Sequence, residues 1–239
     1  MPATNQTPAG IAPFPVSEGG TGISTTTAYG VMCGGTTSTG ILQNVGSLGS
    51  SGQVLTSQGA SALPQWVNGN SFVLIATKTA SNSASIAFTT GITSTYNNYL
   101  LVLSSVLTAT NSTTLLVQIS TNGGSSYLSS GYSSGVNSSA ANSATLANGY
   151  STSGLLIVPS AANGSGAQTS CNAWLNALTS GSGYPYVITN CFGNNGSGYT
   201  MGFGGGSYNT GSTTVNAIQI IAGSGNISSG TFSLYGITH

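Results

Sequence analysis

The chain has 239 residues, yet it carries one Lys or Arg, one Asp or Glu and one His, so charged residues make up 1% of the sequence. Soluble domains usually contain about 25%. Specific nucleic-acid binding requires several cationic contacts to phosphates, calcium and magnesium sites require carboxylates, and acid–base catalysis draws on His, Asp, Glu or Lys. We therefore expect no nucleic-acid partner, no cofactor or metal, and no enzymatic activity.

The apolar content argues for a folded chain. Hydrophobic residues make up 38% of the sequence and the mean hydropathy is +0.20, whereas disordered chains combine low hydrophobicity with high net charge. The sequence contains no run of about 18 apolar residues, so we expect no membrane insertion, and no secretory signal is recognised at the N-terminus. A surface near zero net charge lacks self-repulsion, which favours association.

The first two segments predict an arm and a collar. Residues 1–22 contain Pro2, Pro8, Pro13 and Pro15, and this spacing predicts an extended arm rather than a helix. In residues 23–70, short apolar clusters alternate with glycine, and none is long enough to build a core alone. Identical chains that wrap around one another could share these residues, so we predict an intertwined collar or shaft.

The collar residues expected at the contact between chains are the larger apolar ones. They are Tyr29, Val31, Cys33, Leu42, Val54, Leu55 and Trp66.

From residue 71 to 239 the pattern changes to runs of β-branched and aromatic residues, bounded by Gly, Asn and Ser. This pattern is typical of strands and turns. We predict nine or ten strands in one antiparallel, jelly-roll-like β-sandwich, and the glycine-rich residues 202–206 are interpreted as a turn. The runs assigned to strands are residues 72–76, 99–107, 115–120, 155–158, 217–222 and 231–237.

Residues 169–178 and 184–192 predict a hairpin centred on Gly181. That centre would place Cys171 opposite Cys191, close enough for a disulfide, because directly opposed Cβ atoms lie about 4.5–5.5 Å apart. Two buried thiols in a reducing cytosol are the alternative, and the lack of a recognised signal peptide favours them. The same register pairs Leu175 with Val187 and Trp174 with Ile188.

Four ordered blocks carry a family resemblance. They read EGGTGIS at 18–24, TAYGVMCGGTTSTG at 27–40, GQVLTSQG at 52–59 and LPQW at 63–66. This set resembles the collar segments of tailed-phage and prophage tail fibres and other virion appendage proteins. The resemblance implies a C-terminal β domain, a homotrimer, a virion or extracellular location, and docking onto a capsid, a tail or neighbouring subunits.

The C-terminal part carries a second resemblance to phage tail β domains. It rests on YLLVL at 99–103, LLVQISTNGGSSY at 115–127 and the closing segment at 223–237. Such domains usually carry several Asp, Arg and Lys residues, and here Ser, Thr, Asn or Gln replace nearly all of them. The resemblance still implies the β fold despite that difference. It does not support binding to a charged receptor, because the charged residues are missing.

Several aromatic residues are candidate ligand contacts, because a ring beside neutral hydroxyl and amide groups suits a sugar. The alternative, which we favour, is that these rings fill the core or a subunit interface. Trp174 shares strand parity with Asn172 and Asn176, so we expect it to face outward or into an interface. The candidates are Trp174, Tyr184, Tyr186, Tyr199 and Tyr208.

The leading hypothesis is therefore a homotrimeric virion appendage, similar to a tail fibre, that displays a β-sandwich for multivalent attachment to a host-surface ligand such as a neutral glycan. The main alternative is a subunit of a non-viral extracellular filament or surface layer, in which the N-terminal arm adds a strand to a neighbour. A secreted lectin for neutral sugars, acting alone, is the third.

Overall fold

The computed structural model describes residues 14–69, 72–140, 146–161, 163–164, 167–194 and 199–237. In this part of the chain the secondary structure consists of sixteen strands and one 3-10 turn, which confirms the predicted all-β class. The chain divides into two compact units, Met1–Asn70 and Ser71–His239. Each unit is described separately below.

The first unit contains two small antiparallel hairpins, β1 with β2 and β3 with β4. The amide of Leu42 donates to the carbonyl of Thr21 at 3.0 Å, which ties the chain before β2 back to the preceding glycine-rich block. The strands are β1 Met32–Cys33, β2 Gln43–Asn44, β3 Gln53–Thr56 and β4 Gln65–Asn68.

The prediction of an extended arm is wrong for its last residues, and residues 1–13 lie outside the described part. Val16–Glu18 form a 3-10 turn that ends at Gly19, whose φ of 84° lies in the left-handed region. Pro15 permits this turn because its fixed φ suits the start of a helix. A Cβ at Gly20 would collide with the carbonyl of Phe14, so the turn requires glycine there.

The second unit contains two antiparallel sheets. We call them the large sheet, with strand order β10-β9-β14-β13-β12-β7-β16-β5, and the small sheet, with order β11-β8-β15-β6. The strands are β5 Phe72–Ser83, β6 Ser85–Phe88, β7 Asn98–Thr108, β8 Thr113–Ser120, β9 Tyr132–Ala140, β10 Leu146–Ser151, β11 Leu155–Ala161, β12 Thr169–Asn176, β13 Tyr186–Asn194, β14 Tyr199–Tyr208, β15 Ala217–Ala222 and β16 Ile227–Ile237.

One hydrophobic core joins the two sheets. Leu101 and Leu103 of β7 and Phe232 of β16 supply it from the large sheet, and Val117 and Ile119 of β8 supply it from the small sheet. All five side chains are buried. This face-to-face packing agrees with the expected sandwich, and the jelly-roll connectivity stays a prediction.

The predicted number of strands is too low, because twelve strands of the second unit are described. The predicted strands omitted β6, β9, β10 and β14. The last three are rich in Ser, Gly and Asn and have low β-propensity. The predicted turn at residues 202–206 lies inside β14 instead. A Cβ at Gly204 would collide with the carbonyl of Gly135 on β9, so glycine there permits close approach of two strands.

The predicted hairpin register is confirmed. Cys171 lies opposite Cys191 and Trp174 opposite Ile188, as does Leu175 opposite Val187. Along β12 and β13, residues that point to the core alternate with exposed or half-buried residues. This alternation fixes the register, because a slip by one residue would move every side chain to the other face.

Candidate functional site

The most distinctive surface of the second unit is the side of the large sheet that faces away from the small sheet; we call it the outer face. On β13 the even-numbered residues from Tyr186 to Asn194 point to this side, and the odd-numbered ones point to the core. On β12 the even-numbered residues Asn172, Trp174 and Asn176 do the same. The outward position predicted for Trp174 is therefore confirmed.

Apolar side chains cross the outer face in one row. Each of them lies directly opposite the next on a neighbouring strand, so the row runs from β13 to β5 without an intervening polar residue. In order, its members are Ile188, Trp174, Leu100, Tyr235 and Leu74.

A second, polar row runs beside it. Four exposed asparagine side chains flank Phe203, which is itself 54% exposed. These residues also oppose one another directly across five strands. In order, they are Asn148, Asn137, Phe203, Asn190 and Asn172.

Ring contacts hold the aromatic side chains of the outer face together. Phe192 stacks on Tyr199, with centroids 5.9 Å apart and an interplanar angle of 14°. Phe72 meets Trp174 edge to face at 6.1 Å. Such geometries stabilise aromatic pairs by about 0.5–1.5 kcal/mol beyond their buried area, so these rings present an ordered apolar surface.

The outer face is also uncharged. Lys78 is the one charged residue among the described residues of the second unit. It lies opposite the core residue Phe232, and its ammonium group sits 5.7 Å from the centroid of the Phe88 ring. Lys78 therefore lies on the core side of the large sheet and not on the outer face.

The five predicted ligand contacts separate into three groups. Trp174, Tyr186 and Tyr199 lie on the outer face. Tyr184 is exposed in the loop between β12 and β13. Tyr208 points inward and packs its ring edge to face against the buried Tyr132, with centroids 5.3 Å apart, so it does not belong to the outer face.

Sequence analysis did not select most of the apolar residues that share this face. Ile188, Phe192 and Met201 are exposed and belong to it, as does Phe203. Alternation along each strand could have found the first two. The membership of β14 could not be deduced, because its glycine-rich sequence resembles a turn.

The predicted collar contacts lie in the first unit, and none of them is buried in the single chain. Tyr29 is 98% exposed, and Val54 and Leu55 are exposed side by side on β3. Trp66 is half-buried, with its indole N–H donating to the carbonyl of Ser47 at 2.9 Å. The remaining members, Val31, Cys33 and Leu42, are also half-buried.

Cys171 and Cys191 are thiols in the structure and no disulfide joins them. Burial raises the pKa of the Cys171 thiol to about 12, although its hydrogen bond with the Thr189 hydroxyl, 3.0 Å away, opposes the shift. Burial also raises the pKa of the Cys191 thiol to about 11. Thiols in such surroundings are poor nucleophiles, so the pair serves as packing.

The described residues contain no cluster of three or more His, Cys, Asp or Glu side chains that could hold a metal ion. They also contain no helix with the length and apolar character that a membrane crossing requires. Comparisons with protein-family models, with curated proteins and with solved structures found no match.

Proposed function

We propose that this chain is a non-catalytic structural subunit of a virion appendage, similar to a tail fibre, and that it acts as a homotrimer outside the cell. The collar joins the copies, and the β-sandwich is presented to the host surface. The proposal rests on the sequence blocks of the collar together with one structural observation on the first unit.

That observation is the exposure of apolar side chains in the first unit. Of the residues between 14 and 69 whose burial is described, Val45 is the one that is buried. A segment that buries so little apolar surface gains too little free energy to offset the entropy of ordering its backbone. Contact with identical segments would supply the missing burial, and it would cover Tyr29, Val54 and Leu55.

Attachment is proposed for the ends of the sandwich. The loop between β12 and β13 carries Tyr184, exposed beside Gly181 and Gly183. A neutral glycan fits this chain better than a charged receptor, because the sequence contains one Lys or Arg and one Asp or Glu. Three weak sites held in fixed geometry would gain avidity. The arm would dock onto a capsid or a tail.

The alternative remains a non-viral filament or surface layer in which the arm adds a strand to a neighbouring subunit. Negative-stain electron microscopy of the full chain tests the proposal. We expect short particles of uniform length with threefold views. Long polymeric fibres would assign the chain to the alternative, and small single particles would contradict both.

A further inference from the structure

We propose that the outer face of the large sheet is an interface with the other copies of this chain, in which the same face of each of three copies is buried against its neighbours. The inference depends on the proposed function only for the number of copies, since the face itself requires only one partner of the same kind. The argument begins with the amount of apolar surface that the single chain leaves uncovered.

Nine large apolar side chains among the described residues of this face are exposed. Aromatic side chains carry about 150–250 Å² each, so at roughly half exposure the six aromatic members present on the order of 600 Å² to solvent. Leu74, Ile188 and Met201 add to this area. One partner of a standard interface contributes about 800 Å², and the largest apolar patch of a typical monomer covers about 300–600 Å². The nine are Phe72, Leu74, Tyr150, Tyr186, Ile188, Phe192, Tyr199, Met201 and Phe203.

The composition of the face favours protein over carbohydrate. Ile188 is 51% exposed and Met201 is 52% exposed. Neither side chain offers a sugar an aromatic ring or a strong hydrogen-bonding group. Both suit a dry contact with other apolar side chains, and aromatic residues and Met are enriched in the cores of protein interfaces.

The opposite surface of the sandwich provides an internal comparison. On the small sheet, the Gln219 amide donates to the Gln118 side-chain oxygen at 2.8 Å, and Gln118 donates to the carbonyl of Ser153 at 2.9 Å. There the polar side chains satisfy one another. The apolar side chains from Ile188 to Leu74 cannot form such hydrogen bonds, and in the single chain they remain in contact with water. The outer face is therefore the surface that gains most from burial against a partner.

The lack of charge on the outer face favours a second copy of the chain as its partner. A face without charged side chains meets its own image with no electrostatic repulsion. The asparagine row beside the apolar row supplies amide donors and acceptors to the same row of a neighbour, since each amide can act in both roles. An apolar centre with a hydrogen-bonding border is the usual anatomy of such interfaces.

The oxidation rates of two methionines distinguish the proposed outer-face interface from the proposed collar trimer. Met201 lies on the outer face and Met32 lies in the collar on β1, and both are exposed in the single chain. Peroxide converts exposed methionine to the sulfoxide, and peptide mass spectrometry measures each rate. In the native full chain we expect Met201 to oxidise about tenfold more slowly than in the unfolded chain.

The double substitution Ile188→Lys with Phe203→Lys places like charges against each other across the proposed contact. We expect it to bring the Met201 rate close to the unfolded rate. Asn111→Lys with Ser129→Lys adds the same charge at exposed loop positions away from the face, and it should leave Met201 protected. Circular dichroism and the melting temperature confirm that each variant is folded, since all four positions are exposed in the single chain.

Equal oxidation of Met201 in the native and unfolded chains would overturn the proposal, as would unchanged protection in the folded double variant. Protection that appears only on adding a neutral polysaccharide would assign the face to a sugar and would also overturn it. Met32 tests the collar contact independently. If Met32 oxidises at the unfolded rate while Met201 stays protected, the proposed collar trimer is wrong and the outer-face interface is still supported.

Discussion

Trp174 lies directly opposite Ile188 across β12 and β13, and both side chains project to the outer face of the large sheet. Opposed side chains of an antiparallel pair are about 4.5–5.5 Å apart at Cβ, so the two residues form one apolar contact at the β13 end of a longer row. A monomer in water would place polar residues there. The pair therefore links a local sequence pattern to the proposed interface between copies of the chain.

The first prediction concerns the collar. Replacing Val54 and Leu55 with Ser removes two exposed apolar side chains from the proposed contact between chains. Burial of each is worth about 1.5–3 kcal/mol, so we expect the trimer to dissociate at roughly 100-fold higher protein concentration or more. Sedimentation equilibrium measures this. Gly46→Ala, at an open position of the same unit, should leave the mass unchanged, and an intact trimer in the double variant would contradict the collar assignment.

The second prediction concerns a buried tyrosine. The Tyr132 hydroxyl donates to the Leu128 carbonyl at 2.9 Å and accepts from the Ile119 amide at 3.0 Å. Tyr132→Phe leaves both backbone groups without this partner, and we expect a loss of about 1–3 kcal/mol in the free energy of unfolding, measured with urea. Tyr184→Phe, at an exposed position of the same unit, should change it by less than about 0.5 kcal/mol. Equal effects of the two substitutions would disprove the role of the hydroxyl.

The third prediction is a loss of stability at alkaline pH. Burial raises the pKa of Cys171 to about 12 and of Cys191 to about 11, from the ordinary thiol value of 9.0. Because the folded state binds these protons more tightly, their contribution is complete below pH 9.0 and is lost as the pH rises through the folded pKa values. Between about pH 9 and 11 we expect the free energy of unfolding to fall by up to about 1.4 kcal/mol per pH unit for each thiol, and the urea midpoint to fall with it.

A control for this pH dependence is the double variant Cys171→Ala with Cys191→Ala, which should show a shallower alkaline slope. Burial also raises the pKa of Tyr132 to about 12, so part of the decline above about pH 10 should persist in that variant. A midpoint that rises between about pH 9 and 11 would contradict the assignment.

The fourth prediction concerns the relative reactivity of two cysteines, Cys33 and Cys171. Cys171 is buried, whereas Cys33 is half-buried in the first unit. In the native chain at about pH 8 we expect an alkylating reagent to modify Cys33 well before Cys171, because the reactive thiolate of Cys171 is suppressed. Mass spectrometry of peptides measures both rates. The intact mass should not change by about two daltons on reduction, and such a change would establish a disulfide.

The parts of the fold that were predicted from sequence are those where apolar residues alternate clearly. The register that places Cys171 opposite Cys191 required only the local pattern of β12 and β13. Strand β14 was missed because its glycines have low β-propensity, and their role depends on the distant Gly135 of β9. Long-range contacts of this kind leave no signal in the local pattern.

The outer face likewise contains residues that the local pattern predicts and residues that depend on long-range strand pairing. The alternation of residues along the strand predicted that Trp174 faces outward, and the same alternation along β13 would have predicted this for Ile188. The apolar row also needs Leu100 and Leu74, and these join it only because β7 and β5 lie on the same side of β12 in the large sheet. Strand order is set by the packing of the whole core, so the row as a unit could be recognised only in three dimensions.

The mass of the full chain in solution tests the central claim most directly. Because almost no group on the chain carries charge, salt should screen little of the assembly. We expect three times the 23.5 kDa chain mass, unchanged between about 0.01 M and 1 M ionic strength. A mass of 23.5 kDa, or a ladder of masses that grows with protein concentration, would contradict the account.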